Sequence, residues 1–215
     1  MFSQELLEQA ESGDTDAMRE LSAAYLFAEG VSPNIREARK WIEKAAELGN
    51  VEAQAELADI LRTQNYLKEA FDWEYKAAMQ GRIKSHYNLA VHYRDGMGTY
   101  VDFREQFYWF QKAAVQGRHA VAMHELGRCY LNGAGTLRDD KHAFYWFQKA
   151  VISGDVGAKV SLGTCYYIGR GVTADKEKAI YLWQEALQQG DEKTKKRARG
   201  NLQNSYGTLR DFQKK

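Results

Sequence analysis

Two cysteines, Cys129 and Cys165, are all that this 215-residue chain carries. That is too few for a disulfide framework and fits a reducing compartment. No run of about eighteen apolar residues occurs, so no segment is suited to span a membrane as a helix. The first residues, MFSQELLEQAESGD, lack both a basic region and an apolar stretch, so they do not form a secretory signal as they stand; a leader already removed would leave no trace. Charge of one sign is missing too: the formal net charge is +1, which argues neither for nucleic acid nor for an acidic substrate. The expected setting is the cytoplasm. A single proline among eighteen glycines suits helices with many tight stops.

What the chain does have is repetition. DFREQFYWFQKAAVQG at 102–117 returns as DDKHAFYWFQKAVISG at 139–154 and DKEKAIYLWQEALQQG at 175–190. It is preceded by related copies that end at Gly49 and Gly81. Each copy holds one tryptophan, Trp41, Trp73, Trp109, Trp146 and Trp183, at spacings of 32, 36, 37 and 37 residues. A fixed period in the mid-thirties means stacked units. In the copy from Asp102, the apolar residues Phe103, Phe107, Phe110, Ala113 and Ala114 recur at helical intervals. Asn34, Asp102, Asp139 and Asp175 stand where an N-cap acceptor is wanted. Gly49, Gly81, Gly117, Gly154 and Gly190 stand where a left-handed residue closes a helix. The tryptophans are read as core, and a ligand-stacking role for them is the weaker reading.

A first helix precedes each copy. Its register is set by a small residue, a Leu and an aromatic at four-residue steps: Ala17–Leu21–Tyr25, Ser85–Leu89–Tyr93, Ala122–Leu126–Tyr130, Ala158–Leu162–Tyr166 and Ala198–Leu202–Tyr206. In the second unit the set is Ala53–Leu57–Leu61. That spacing makes one buried stripe. Gly127 and Gly163 follow the Leu inside their helices, where close helix contact would repay the cost of about 1 kcal/mol. Glycine pairs (Gly96 and Gly98, Gly133 and Gly135, Gly169 and Gly171) join first helix to second. The second unit lacks this loop and turns through Asn65. The organisation expected is an opening helix over Phe2–Ala10 that ends at Gly13, then repeats at about 17–50, 53–82, 85–118, 122–155 and 158–191. A cap helix at 193–206 follows. Together these form one domain over 1–207, with a mobile tail at 208–215.

Chemistry finds little footing. His124-Glu125-Leu126-Gly127-Arg128 approaches a zinc-protease motif but has Arg at the second histidine position. The glycine pairs lack the third Gly, the Lys and the strand of a phosphate loop. No Ser is followed three residues later by Lys, and no CxxC occurs. Neither catalytic residues nor a metal or cofactor are expected. The one charge run, with Lys193, Lys195, Lys196, Arg197 and Arg199, reads as a solvated cap whose stems lie over the last repeat; contact with phosphate or an acidic partner is the competing reading.

Ala158, Leu162, Gly163, Tyr166, Gly169, Gly171, Val172, Asp175, Lys178, Ala179, Trp183 and Ala186 together resemble the Sel-one-like repeat, a relative of the tetratricopeptide repeat. The resemblance runs over about residues 4–206. It implies an all-α, right-handed α-α superhelix, a solenoid of about five helix-loop-helix repeats with capping helices. It also implies a non-catalytic module that binds a protein or peptide, as a scaffold or adaptor or as an immunity protein that neutralises a toxin. Cysteine-rich relatives pair two cysteines within a repeat. This chain places one in each of two repeats, at equivalent positions of helices expected about 8–10 Å apart, so free buried thiols are expected. A hydrolase with a cleft at the glycine loops is the rival of a different class.

In solenoids of this type the first helices line the concave face. Projection at 100° per residue from the buried Leu points Tyr87, Val91 and Arg94, then His124, Arg128 and Leu131, then Val160, Thr164 and Tyr167 away from the core. Arg19, Ala23 and Leu26 and then Ala55, Asp59 and Arg62 are the corresponding positions of the first two units. Tyr and Arg are residue types that anchor interfaces, so the face from the third repeat onward is the expected partner site. The competing expectation is that part of it packs against neighbouring first helices or forms a homodimer contact.

Overall fold

A computed structural model describes residues 2–212, with side chains described through Ser205. Among the described residues there are twelve helices and no strand. The opening helix is α1 (Gln4–Glu11). First-type helices are α2 (Thr15–Phe27), α4 (Val51–Thr63), α6 (Ile83–Asp95), α8 (Ala120–Asn132) and α10 (Val156–Ile168). Their second-type partners are α3 (Ile35–Glu47), α5 (Leu67–Met79), α7 (Phe103–Gln116), α9 (Asp140–Ile152) and α11 (Lys176–Gln189), and α12 (Glu192–Phe212) closes the chain. The closing helix extends beyond the expected end at 206, and of the expected tail only 213–215 lies outside the described residues.

The helix starts follow from side-chain chemistry. Asn34, Asp102, Asp139 and Asp175 each accept from backbone N–H groups of the first turn they precede, which satisfies donors that no intrahelical carbonyl can reach. The stops are less uniform than the sequence suggests. Gly49, Gly81 and Gly154 take positive φ, whereas Gly117 stays at φ −95 and the left-handed turn falls on Arg118 at φ +48. Gly190 is extended, and a side chain there would meet Ala186 O at 2.7 Å. Asn65, at φ +66, makes the tight turn into α5.

The chain forms two compact units, Met1–Val101 and Asp102–Lys215, which divide inside the third repeat. In the first, Leu6, Ala10, Met18, Leu21, Trp41, Ile42, Leu57 and Leu61 form a continuous core. In the second, Phe147, Leu162 and Cys165 form one cluster, and Val160, Trp183, Ala198 and Leu202 another. Trp41, Trp109 and Trp183 are buried, while Trp73 and Trp146 are partly covered. Phe103 departs from expectation. It begins α7 with 52% of its surface exposed, while Gln106 is buried in its stead, because the core face starts one turn later.

Gly127 and Gly163 lie against second helices. A Cβ on Gly127 would stand 2.6 Å from the Phe147 ring, and one on Gly163 would stand 2.6 Å from Trp183 Nε1. That indole then donates to Val160 O at 3.1 Å. In the first repeat Ser22 occupies the same place and donates to Ala38 O at 2.7 Å. The later glycine of each pair also has a steric reason. A side chain on Gly98, Gly135 or Gly171 would collide with the backbone carbonyl of Leu67, Phe103 or Asp140, at the start of the preceding second helix. Loop glycines that looked like turn residues alone are also seats between consecutive repeats. Both cysteines are buried, and burial pushes the Cys165 thiol up to about 11.

Candidate functional site

Recesses open on the first-type helices of both units. In the first unit, α2 and α4 enclose one of about 350 Å³ bounded by Ala23, Leu26, Phe27, Ile42 and Ile60, with Arg19, Glu56 and Asp59 at its margin. Its apolar walls lie in the first two repeats, outside the face expected to take the partner. Leu26 and Ala23 already pointed there, but Phe27 and Ile60 fall off the projected face.

The second recess, about 240 Å³, is lined by Asp59, Arg62, Tyr87, Val91 and Arg94, so it gathers the expected residues of two consecutive first helices. Glu74 lies at its base. This carboxyl is 2% exposed and occupies the place after the repeat tryptophan where other copies carry Ile42, Phe110 and Phe147. Asn88 Nδ2 donates to it at 3.1 Å. Burial raises its pKa, against the opposing pull of hydrogen bonds from Ser85 and Asn88. The sequence signal was an acidic residue at a core register, visible only once the repeats are aligned.

In the second unit, α8, α10 and α12 enclose two adjoining recesses, of about 290 and 380 Å³, that share Arg128 and Arg197. Leu131 and Thr164 line the first, and His124 the second. Arg128 is exposed and pairs with Glu125 at 3.0 Å.

Val160 and His124 correct the projected face. Val160 is 2% exposed, packed in the cluster with Ala198 and Leu202 of α12. His124 is 6% exposed, and its Nε2 lies 2.9 Å from Ser161 Oγ on α10. On α8 and α10 the position two before the Leu faces the next helix in the row and not solvent. Ala55, also buried, obeys the same rule. Tyr167 is partly covered as well, its ring 5.3 Å from that of Trp183. The C-terminal run also departs from a purely solvated cap, since Arg197 Nη2 reaches Ser161 Oγ at 3.4 Å.

His124 Nδ1 lies 2.7 Å from Asp155 Oδ2, which brings an acid, an imidazole and a hydroxyl into one chain. Two features set it apart from a nucleophilic triad. The Asp155 oxygen, although close, is misaligned for a hydrogen bond, whereas a triad needs that bond to orient the imidazole. Ser161 stands inside α10, where backbone N–H groups are committed to the helix and form no oxyanion hole. The arrangement fixes the Ser161 hydroxyl toward Arg197. In the glycine loops, Gly98, Gly135 and Gly171 are seated on the preceding helix.

A profile of the Sel1 repeat matches residues 15–50, 51–81, 83–117, 120–155 and 158–191. The solved structures similar to this chain include c5321, a protective antigen of uropathogenic Escherichia coli with an SLR fold. It is 31% identical, with a TM-score of 0.79 over 88% of this chain and 41% of that one. This chain therefore spans about two fifths of that protein's length. A Sel1 repeat protein from Oxalobacter formigenes is 27% identical, with a TM-score of 0.79 over 85% of this chain and 76% of that one. No curated protein matches the chain.

Proposed function

Because the chain belongs to the Sel1 repeat family, whose members are protein-interaction modules, we propose that it is a non-catalytic binding module that holds a protein or peptide against its first-type helices. The observation that carries this reading is the siting of the recesses. They open on α2, α4, α6, α8, α10 and α12, and they expose arginine, tyrosine and aliphatic side chains together. That mixture is what interface centres use. A chain with two cysteines, both buried, suits a reducing compartment, the cytoplasm. No helix among the described residues is long and apolar enough to cross a membrane.

The test is affinity capture from the source cell with the wild type and with a Tyr87→Ala, Arg94→Ala, Arg128→Ala variant. Tyr167 is left intact because its ring supports Trp183. Loss of the captured protein with an unchanged helical spectrum supports the reading, and unchanged capture overturns it. A toxin inhibitor and an assembly scaffold would grip through the same face. An inhibitor abolishes its partner's own activity at one-to-one stoichiometry, whereas a scaffold leaves it intact.

A further inference from the structure

The paired recesses of the second unit carry an excess of positive charge. Arg128, Arg170, Lys193 and Arg197 line them, against the single carboxylate of Glu125. Glu125 is already committed to Arg128. The nearest carboxylate to Arg170, that of Asp140, stands at 3.9 Å. Arg197 has no carboxylate within ion-pairing distance among the described residues; its side-chain partner is the Ser161 hydroxyl at 3.4 Å. Desolvation, and after it the charge of Arg128, draws the Arg197 guanidinium below the usual arginine range, against the weaker pull of the Asp155 and Glu125 carboxylates. Two like charges held near one another cost free energy that an anion lying between them recovers.

The polar groups around them are already oriented. Ser161 Oγ is held by His124. Thr164 Oγ1 donates to Val160 O at 2.9 Å and accepts from Asn201 Nδ2 at 3.3 Å. Guanidinium groups present a planar fork that matches a carboxylate in two parallel hydrogen bonds. Leu131 and Ile168 add aliphatic surface to the same recess. No Phe, Tyr or Trp side chain among the described residues lines either recess, and these are the rings on which single-stranded nucleic acid stacks.

We propose that the recess pair shared by Arg128 and Arg197 binds an acidic peptide segment, with one carboxylate between the two guanidinium groups and flanking acidic side chains toward Lys193 and Arg170. This rests on the protein-binding reading above and names the occupant of one of its recesses.

The experiment is fluorescence anisotropy of the full chain with a labelled peptide of alternating Glu and Leu, its Gln and Leu counterpart, and an oligothymidylate of equal charge. The Glu peptide should bind about tenfold or more tighter than the Gln peptide, and its binding should weaken as salt rises. Arg197→Gln and Arg128→Gln should each weaken it about fivefold or more, while Lys68→Gln, on the exposed face of α5 in the other unit, should leave it unchanged. Circular dichroism confirms that each variant is folded. Equal binding of the Glu and Gln peptides, no effect of Arg197→Gln, or tighter binding of the oligothymidylate would overturn the assignment. Failure of the broader reading shows elsewhere, as unchanged partner capture by the Tyr87, Arg94 and Arg128 variant, whatever the peptides do.

Discussion

Gly135 and Gly154 both take positive φ, at +73 and +95, yet their surroundings differ. An added methyl at Gly135 strikes Phe103 O, whereas one at Gly154 meets nothing within 4 Å. Gly135→Ala should therefore cost roughly 3 kcal/mol from overpacking together with backbone strain. Gly154→Ala should cost about 1 kcal/mol from strain alone. Urea unfolding of the two variants checks the difference. Glu74 supplies a pH-dependent term. Its carboxyl titrates higher folded than unfolded, so the folded state holds the proton more tightly. The stability this confers is complete below the ordinary carboxylate value of 4.5 and is lost as pH rises through the raised one. Glu74→Gln should melt above the wild type at pH 8, with the gap closing toward pH 4, as read by calorimetry.

At the scale of the helix, the tryptophan register divides into strong and weak positions. Trp183 is buried, packs on Gly163 and donates to Val160 O, while Trp146 is partly covered. Trp183→Ala should cost roughly 3–5 kcal/mol and Trp146→Ala clearly less, measured as the shift in urea midpoint. Caps contribute on a smaller scale. Asp139→Ala frees the N–H groups of Lys141 and His142 and should cost about 1 kcal/mol. These helices were legible in the sequence because a cap, a stripe and a stop are local features, each confined to one turn. The proposed binding face was legible only in part. A projection drawn on one helix cannot register that α8 and α10 adjoin, so it sent Val160 and His124 outward. The signal was nonetheless there: His124 and Ser161, like Thr164 and Asn201, stand 37 residues apart, one repeat period. On α8, α10 and α12, residues separated by that period are neighbours.

For the molecule as a whole, repetition made the fold class readable, while the candidate recesses come from departures from the repeat. Glu74 replaces a core aliphatic or aromatic residue, Arg197 belongs to the closing helix, and the apolar recess lies where the first two copies are least regular. Two compact units, each with its own core, imply local responses to damage, because stability in stacked repeats is a sum over near neighbours. Trp183→Ala should hasten amide exchange in α10 to α12 far more than in α2 to α4, as resolved by hydrogen-exchange mass spectrometry. The glycine seats set a rule for length as well. Where Gly98, Gly135 and Gly171 rest on the helix behind them, an inserted residue would unseat the contact, so those connections are fixed in size. The turn at Asn65 has no glycine seat of this kind. Its residues are exposed, so an added tag or second module should be tolerated better there than in the seated loops.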